Sequence, residues 1–211
     1  MADYEYDPTP KGRGNVSLPF RDDSLVAAMK AYLAGRRLDY GVATWNGWYP
    51  SSRAGDSYPR IVIPGTITPR GPFWQARCMT DGEPRYQSPG GERNGAVIVI
   101  RPYRAPRVCV ITEGPMDALV AAMYGHLGIA VMGNTPGQTT LETISGVLLA
   151  APRPPELLFL PDLDSPGSFV AMMGVFSAHG FRCRLVLPLS KDLASCADVE
   201  RAALLHQCPS R

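Results

Sequence analysis

No apolar run in this chain approaches the ~20 residues that a helix needs to cross a bilayer. The first twenty residues carry Asp, Glu, Lys and Arg where a signal peptide would need an apolar stretch. Both absences predict a cytoplasmic protein with no membrane partner. Cysteine and histidine are too few and too scattered for a zinc module. The five cysteines (Cys78, Cys109, Cys183, Cys196 and Cys208) form no CxxC pair, and His126, His179 and His206 sit in no zinc-finger spacing. An odd set of this kind reads as reduced thiols rather than disulfides. Lysine is nearly absent: 18 of the 21 basic residues are arginine, a side chain suited to bidentate phosphate contacts, although a GC-rich genome produces the same bias.

What is present describes a globular chain of 211 residues, 45% hydrophobic and 19% charged, with 21 Gly and 21 Pro that predict many loops. The net charge of +2 hides an asymmetry. Residues 1–107 hold 15 basic against 10 acidic side chains, whereas residues 108–211 hold 6 against 9. Nine arginines fall between positions 53 and 107, either a solvated face or a nucleic-acid groove. Trp45, Trp48, Tyr49 and Trp74 lie in the same region, either as small-core aromatics or as platforms for base stacking.

Residues 1–20 mix Pro, Gly and charge without periodicity and read as a flexible N-terminal segment. Helical spacing appears at Leu25, Val26, Met29 and Leu33 after an Asp22-Asp23-Ser24 cap signal. From Tyr40 to Val99 the pattern turns to short apolar runs, RIVIPGTI (60–67), PFWQARC (72–78) and AVIVI (96–100), predicting a small antiparallel β region. Residues 21–107 thus read as a basic α+β subdomain.

From residue 108 four apolar runs alternate with helical stretches: VCVIT (108–112), IAVM (129–132), LLFL (157–160) and CRLVLP (183–188). Strands apolar on both faces and separated by helices predict an α/β domain over 108–211, with a four-stranded parallel sheet and flanking helices. Ligands of such sheets gather beyond the carboxyl ends of the strands. Glu113 follows the first run, Asp162 and Asp164 the third, and Lys191 and Asp192 the fourth. In an extended segment i and i+2 project to one side, so Asp162 and Asp164 repel unless they are solvated, paired, or share a divalent cation. Hard oxygen ligands suit Mg2+ or Mn2+. The bland alternative makes the aspartates turn formers and helix caps, with Glu113 capping the helix after Pro115.

EGPMDA from Glu113 and DLDSPG from Asp162 resemble the two signatures of Toprim domains, the metal-binding α/β module of bacterial-type primases, topoisomerases and certain nucleases. Upstream, AYLAGRRLDYGVATWNGWYP, RIVIPGTITPRGPFWQAR and PRYQSPGG are similar to the catalytic core of bacterial and phage primases, where a YL-x-x-RGL-like helix precedes strands, an arginine and a K/R-Y-x-N-S-P loop. The resemblance implies a metal site of Glu113, Asp162, Asp164 and Asp192, with Glu113, Asp162 and Asp164 catalytic. It implies nucleotide or nucleic-acid contacts from Arg77, Arg85, Tyr86, Ser88, Asp117 and Lys191. The implied activity is primer synthesis from nucleoside triphosphates on a single-stranded DNA template, with a separate zinc-binding or helicase protein as a further partner and a phage or mobile element as a source. Where the family's third acidic motif reads D-x-D, this chain has Asp192-Leu193-Ala194. A Toprim nuclease and a non-catalytic single-strand or nucleotide-binding module remain open alternatives.

Overall fold

The computed structural model describes residues 18–52, 58–67, 71–89, 95–106, 108–132, 137–149, 156–164, 166–188 and 190–206. Most of the N-terminal segment, residues 133–136 after the second predicted strand, and Cys208 lie outside the described residues. A 3₁₀ turn at Asp23–Leu25, capped by the Asp22 carboxylate, opens helix α1 (Val26–Gly35). Where the sequence pattern predicts only β structure after Tyr40, the chain instead forms a second helix, α2 (Tyr40–Trp45). The Asp39 carboxylate, which accepts from the Val42 amide at 2.7 Å, supplies its N-cap and explains the difference.

Among the described residues nine strands follow: β1 (Tyr49–Ser51), β2 (Arg60–Ile67), β3 (Gly71–Cys78), β4 (Tyr86–Gln87), β5 (Ala96–Ile100), β6 (Val108–Thr112), β7 (Leu127–Val131), β8 (Glu156–Leu160) and β9 (Cys183–Leu185). Helices α3 (Pro115–Met123), α4 (Gln138–Leu149) and α5 (Pro166–Ala178) separate the later strands, and α6 (Asp198–His206) closes the described chain. They form one sheet in the order β4-β3-β2-β5-β7-β6-β8-β9, with β1 paired to β2. The pairs from β1 through β5, and β5 with β7, are antiparallel. β6 pairs parallel with β7 and β8, and β8 with β9. The predicted parallel set is therefore not a sheet of its own. It continues through β5 into the antiparallel strands, which brings the basic region and the acidic strand ends into one framework.

Alternate residues of the parallel strands enter two cores. Val108, Val110, Leu158 and Leu160 pack toward α1, α2, α3 and α6, whereas Cys109, Ile111, Leu157 and Phe159 pack toward α4 and α5. Burial on both faces is why these strands read as continuous apolar runs rather than alternating ones. Cys78, Cys109, Cys183 and Cys196 are all free thiols, as their scatter predicts.

The helix between the first two apolar runs, α3, stops at Met123, and Leu127 already belongs to β7. Gly125, at φ +87°, turns the chain out of the helix. Gly128 then lets α3 lie directly on the sheet: a Cβ there would stand 2.1 Å from the Ala118 carbonyl oxygen and 2.7 Å from its carbon. Backbone on both sides cannot yield, so Gly128→Ala is expected to lower stability by about 3 kcal/mol in urea titration, within the range of severe core strain. A change below about 1 kcal/mol would mean that α3 slides freely.

Candidate active site

Thr112 ends β6, and Glu113 leaves the sheet before α3 starts at Pro115 with Gly114 as N-cap. The N-cap is a glycine, so no side chain at that position caps the helix. Beyond β8, Asp162 is half-buried and Asp164 exposed. The Leu163 amide donates to the Lys191 carbonyl at 3.1 Å, which draws the Asp162–Asp164 turn against the Lys191-Asp192 segment.

Burial, and then the like charges of Glu113, Asp192 and Asp164, push the Asp162 carboxyl up to about 6, with Lys191 pulling the other way. Asp117, in the first turn of α3, is only 7% exposed. Burial, followed by the Asp192 charge, raises it to about 7, against the lowering effect of the Ala194 amide that donates to its Oδ1 at 2.7 Å. Ala194, where the sequence lacks a carboxylate, thus holds the Asp117 side chain through its backbone. Asp192 is partly engaged as the cap of the 3₁₀ turn Leu193–Ser195, its Oδ1 accepting from the Ser195 amide at 2.7 Å. This capping role falls on a residue to which the sequence reading gave only a metal role.

The antiparallel region supplies the opposite wall. Arg77 on β3 is buried, its Nε donates to the Tyr32 hydroxyl at 2.7 Å, and its guanidinium carbon lies 4.6 Å from the Tyr86 ring centroid. Burial alone would weaken the guanidinium's hold on its proton, but the phenols of Tyr86 and Tyr32 outweigh that and leave its pKa above the ordinary value. The Tyr86 phenol is itself pushed up, mainly by burial. β4 sets this pair in place, with Tyr86 opposite Arg77 in the register.

Arg77, Arg85, Tyr86, Glu113, Asp117, Asp162, Lys191 and Asp192 all line one cavity of about 370 Å³. Residues from β3, from the β4 loop and from three parallel-strand ends therefore meet in a single space. Asp164 stands beside it, close enough to raise Asp162, and Ser88 does not line it. Among the described residues, no three acidic, histidine or cysteine side chains stand close enough to hold one ion as they are placed. The donor set is nevertheless all carboxylate and carries a mutual repulsion that a divalent cation relieves, which suits magnesium or manganese.

Sequence reasoning missed Tyr32, Arg36 and Gln75. Arg36 lines the same cavity and a neighbouring one of about 570 Å³, shared with Tyr32, Arg77 and Arg85. Its place in YL-x-x-R was the available signal. The base-stacking alternative fares poorly: Trp48 and Trp74 are buried, and the Tyr49 hydroxyl donates to the Pro19 carbonyl. Trp45 is exposed but packs edge-on against Tyr103.

No family profile and no curated protein matches the sequence. Solved structures do. The primase fragment of the bacteriophage T7 primase-helicase is 13% identical with a TM-score of 0.62, over 93% of this chain and 82% of that one. The Escherichia coli primase catalytic core is 15% identical with a TM-score of 0.58, over 87% and 74%. The RNA polymerase domain of Mycobacterium tuberculosis primase, solved with double-stranded DNA, is 16% identical with a TM-score of 0.58, over 86% and 73%. A sheet that joins an arginine-bearing antiparallel half to acidic parallel-strand ends, together with these likenesses, gives this chain the fold of a DNA primase catalytic core.

Proposed function

We propose that this chain is a magnesium- or manganese-dependent nucleotidyl transferase of the primase type, joining ribonucleoside triphosphates on a single-stranded DNA template through a Toprim-type acidic centre. The observation that carries the reading is the shared cavity, in which buried arginine and clustered carboxylates face one space. A nucleoside triphosphate needs that pairing: basic groups for its outer phosphates, and carboxylates for the cation that accompanies them. An assembly of T7 lagging-strand DNA polymerase with primase domains, bound to an RNA/DNA hybrid and dTTP, is 14% identical with a TM-score of 0.54 and is consistent with nucleotide and nucleic-acid ligands.

Asp162, Asp164, Asp192 and Glu113 would hold the metal, which when bound neutralises charge on the reacting phosphate and acidifies the attacking 3′-hydroxyl. Arg77, fixed by Tyr32 and Tyr86, and Arg85 with Lys191 would orient phosphate oxygens of nucleotide or template. Glu113 serves either as a further ligand or as acceptor of the hydroxyl proton. The capping of Ser195 by Asp192 favours a second reading, a nucleotide-binding module without chemistry.

Template-directed incorporation by the purified protein, with magnesium, manganese or EDTA and with a zinc-domain partner added in one arm, tests the proposal. A metal-dependent RNA product is expected. No product in any arm removes the synthetic reading, and cleavage of labelled single-stranded DNA with manganese turns it into a nuclease.

A further inference from the structure

Gln75 is 7% exposed, yet its buried Oε1 accepts no hydrogen bond among the described residues. It stands two residues before Arg77 on β3, and alternation along the strand gives the two side chains one face. Trp74 and Ala76 take the other face, where they cluster with Val62. Gln75 lines the same cavity as Arg77, Glu113 and Asp162, beside the apolar surfaces of Met116 and Met132. A buried amide oxygen left without a donor is unfavourable unless something else occupies the space with one.

Resting on the nucleotide-binding reading above, we infer that Gln75 is a specificity-determining contact, its carboxamide oxygen accepting an O–H or N–H from the bound nucleotide. Phosphate oxygens are acceptors and offer nothing to Oε1, so the contact addresses the nucleoside end rather than the triphosphate. Three groups supply the required donor, the ribose 2′-hydroxyl, the ribose 3′-hydroxyl and the N–H groups of the base. Met116 and Met132 supply the apolar surface that a sugar or base edge buries. A site built around such an acceptor discriminates against analogues lacking the donor, because the oxygen is then left unpaired.

The test measures dissociation constants of ATP, 2′-deoxy-ATP, UTP and inorganic tripolyphosphate, each with manganese, for the whole chain and for Gln75→Met, a replacement of similar length without polar atoms. ATP is expected to bind the variant about tenfold more weakly, the worth of one lost hydrogen bond. Tripolyphosphate, which has no nucleoside, should bind both proteins alike. If the 2′-hydroxyl is the donor, the loss vanishes with 2′-deoxy-ATP. If the base is, the loss persists there and differs between ATP and UTP; if the 3′-hydroxyl is, the loss persists there and is equal for ATP and UTP while tripolyphosphate is unaffected. Equal affinities of variant and parent for every nucleotide overturn the inference, as does an equal loss for all four ligands, which marks a structural role. Should the parent bind neither ATP nor tripolyphosphate, the proposed function fails with it. Gln75→Ala, which only opens space, gives the same readings if the methionine variant does not fold.

Discussion

Asp162→Asn is expected to reduce the proposed metal-dependent synthesis by roughly 10³-fold, about 4 kcal/mol of barrier, while leaving the folded protein at least as stable as its parent in EDTA at pH 8. The two halves come from one cause. Burial and three neighbouring carboxylates hold the Asp162 carboxyl at about 6, above its ordinary value. A raised carboxylate opposes folding when charged: its unfavourable contribution is present above about pH 6 and is relieved as pH falls through that value. Asparagine removes the charge and hence the repulsion, but it also removes a proposed metal ligand. The parent should accordingly gain thermal stability from manganese, more at pH 8 than at pH 5.5, because protons compete with the ion for Asp162. The variant should gain much less. Melting curves with and without manganese at the two pH values, alongside incorporation assays, separate the effects. Activity retained in Asp162→Asn would remove this residue from the chemistry. Lost stability in EDTA would mean that its negative charge is needed by the fold rather than by an ion.

Arg201→Met should cost about 3–5 kcal/mol in urea unfolding. Arg201 on α6 is wholly buried, and its guanidinium donates to the carbonyl oxygens of Ala194, Arg37 (3.0 Å) and Arg36 (3.3 Å), with the Asp198 carboxylate at 3.3 Å. One planar fork thus ties α6 and the Leu193–Ser195 turn to the end of α1. Methionine fills much of the volume but leaves buried carbonyls without donors, the costly half of a broken hydrogen bond. The consequence extends to the cavity. Ala194 holds Asp117 through its amide, and Arg36 forms part of the lining, so nucleotide affinity should fall with stability. Arg201→Lys, which keeps the charge but loses the fork, should lie between the two. A cost below about 1 kcal/mol would show that water reaches these carbonyls.

Arg201 illustrates what the linear pattern conceals. Nothing in DVERAALLH separates a buried arginine from an exposed one, because its acceptors lie at positions 36, 37 and 194. Gln75 was silent for the same reason: FWQAR reads as a strand, and only the cavity across from it makes an unpaired amide noticeable. Helix α2 was missed because six residues carry too little periodicity to register, while its Asp39 cap was in view. Of the residues that the Toprim and primase resemblances single out, Arg77, Arg85, Tyr86, Glu113, Asp117, Asp162, Lys191 and Asp192 line one cavity, and Asp164 and Ser88 do not.

The parallel strands, their intervening helices and the acidic residues at the strand ends were legible without coordinates, because burial on two faces imposes apolar runs and strand ends impose where polar residues go. How those ends relate to the arginine-bearing strands was not legible. That relation depends on β5 pairing with both β2 and β7, an edge-to-edge choice made by backbone hydrogen bonds that no side-chain pattern encodes. The grip of Tyr32 and Tyr86 on Arg77, the hold of Ala194 on Asp117 and the unpaired oxygen of Gln75 arise likewise between residues distant in the chain. Their energies depend on distance and burial, which exist only once the chain is folded.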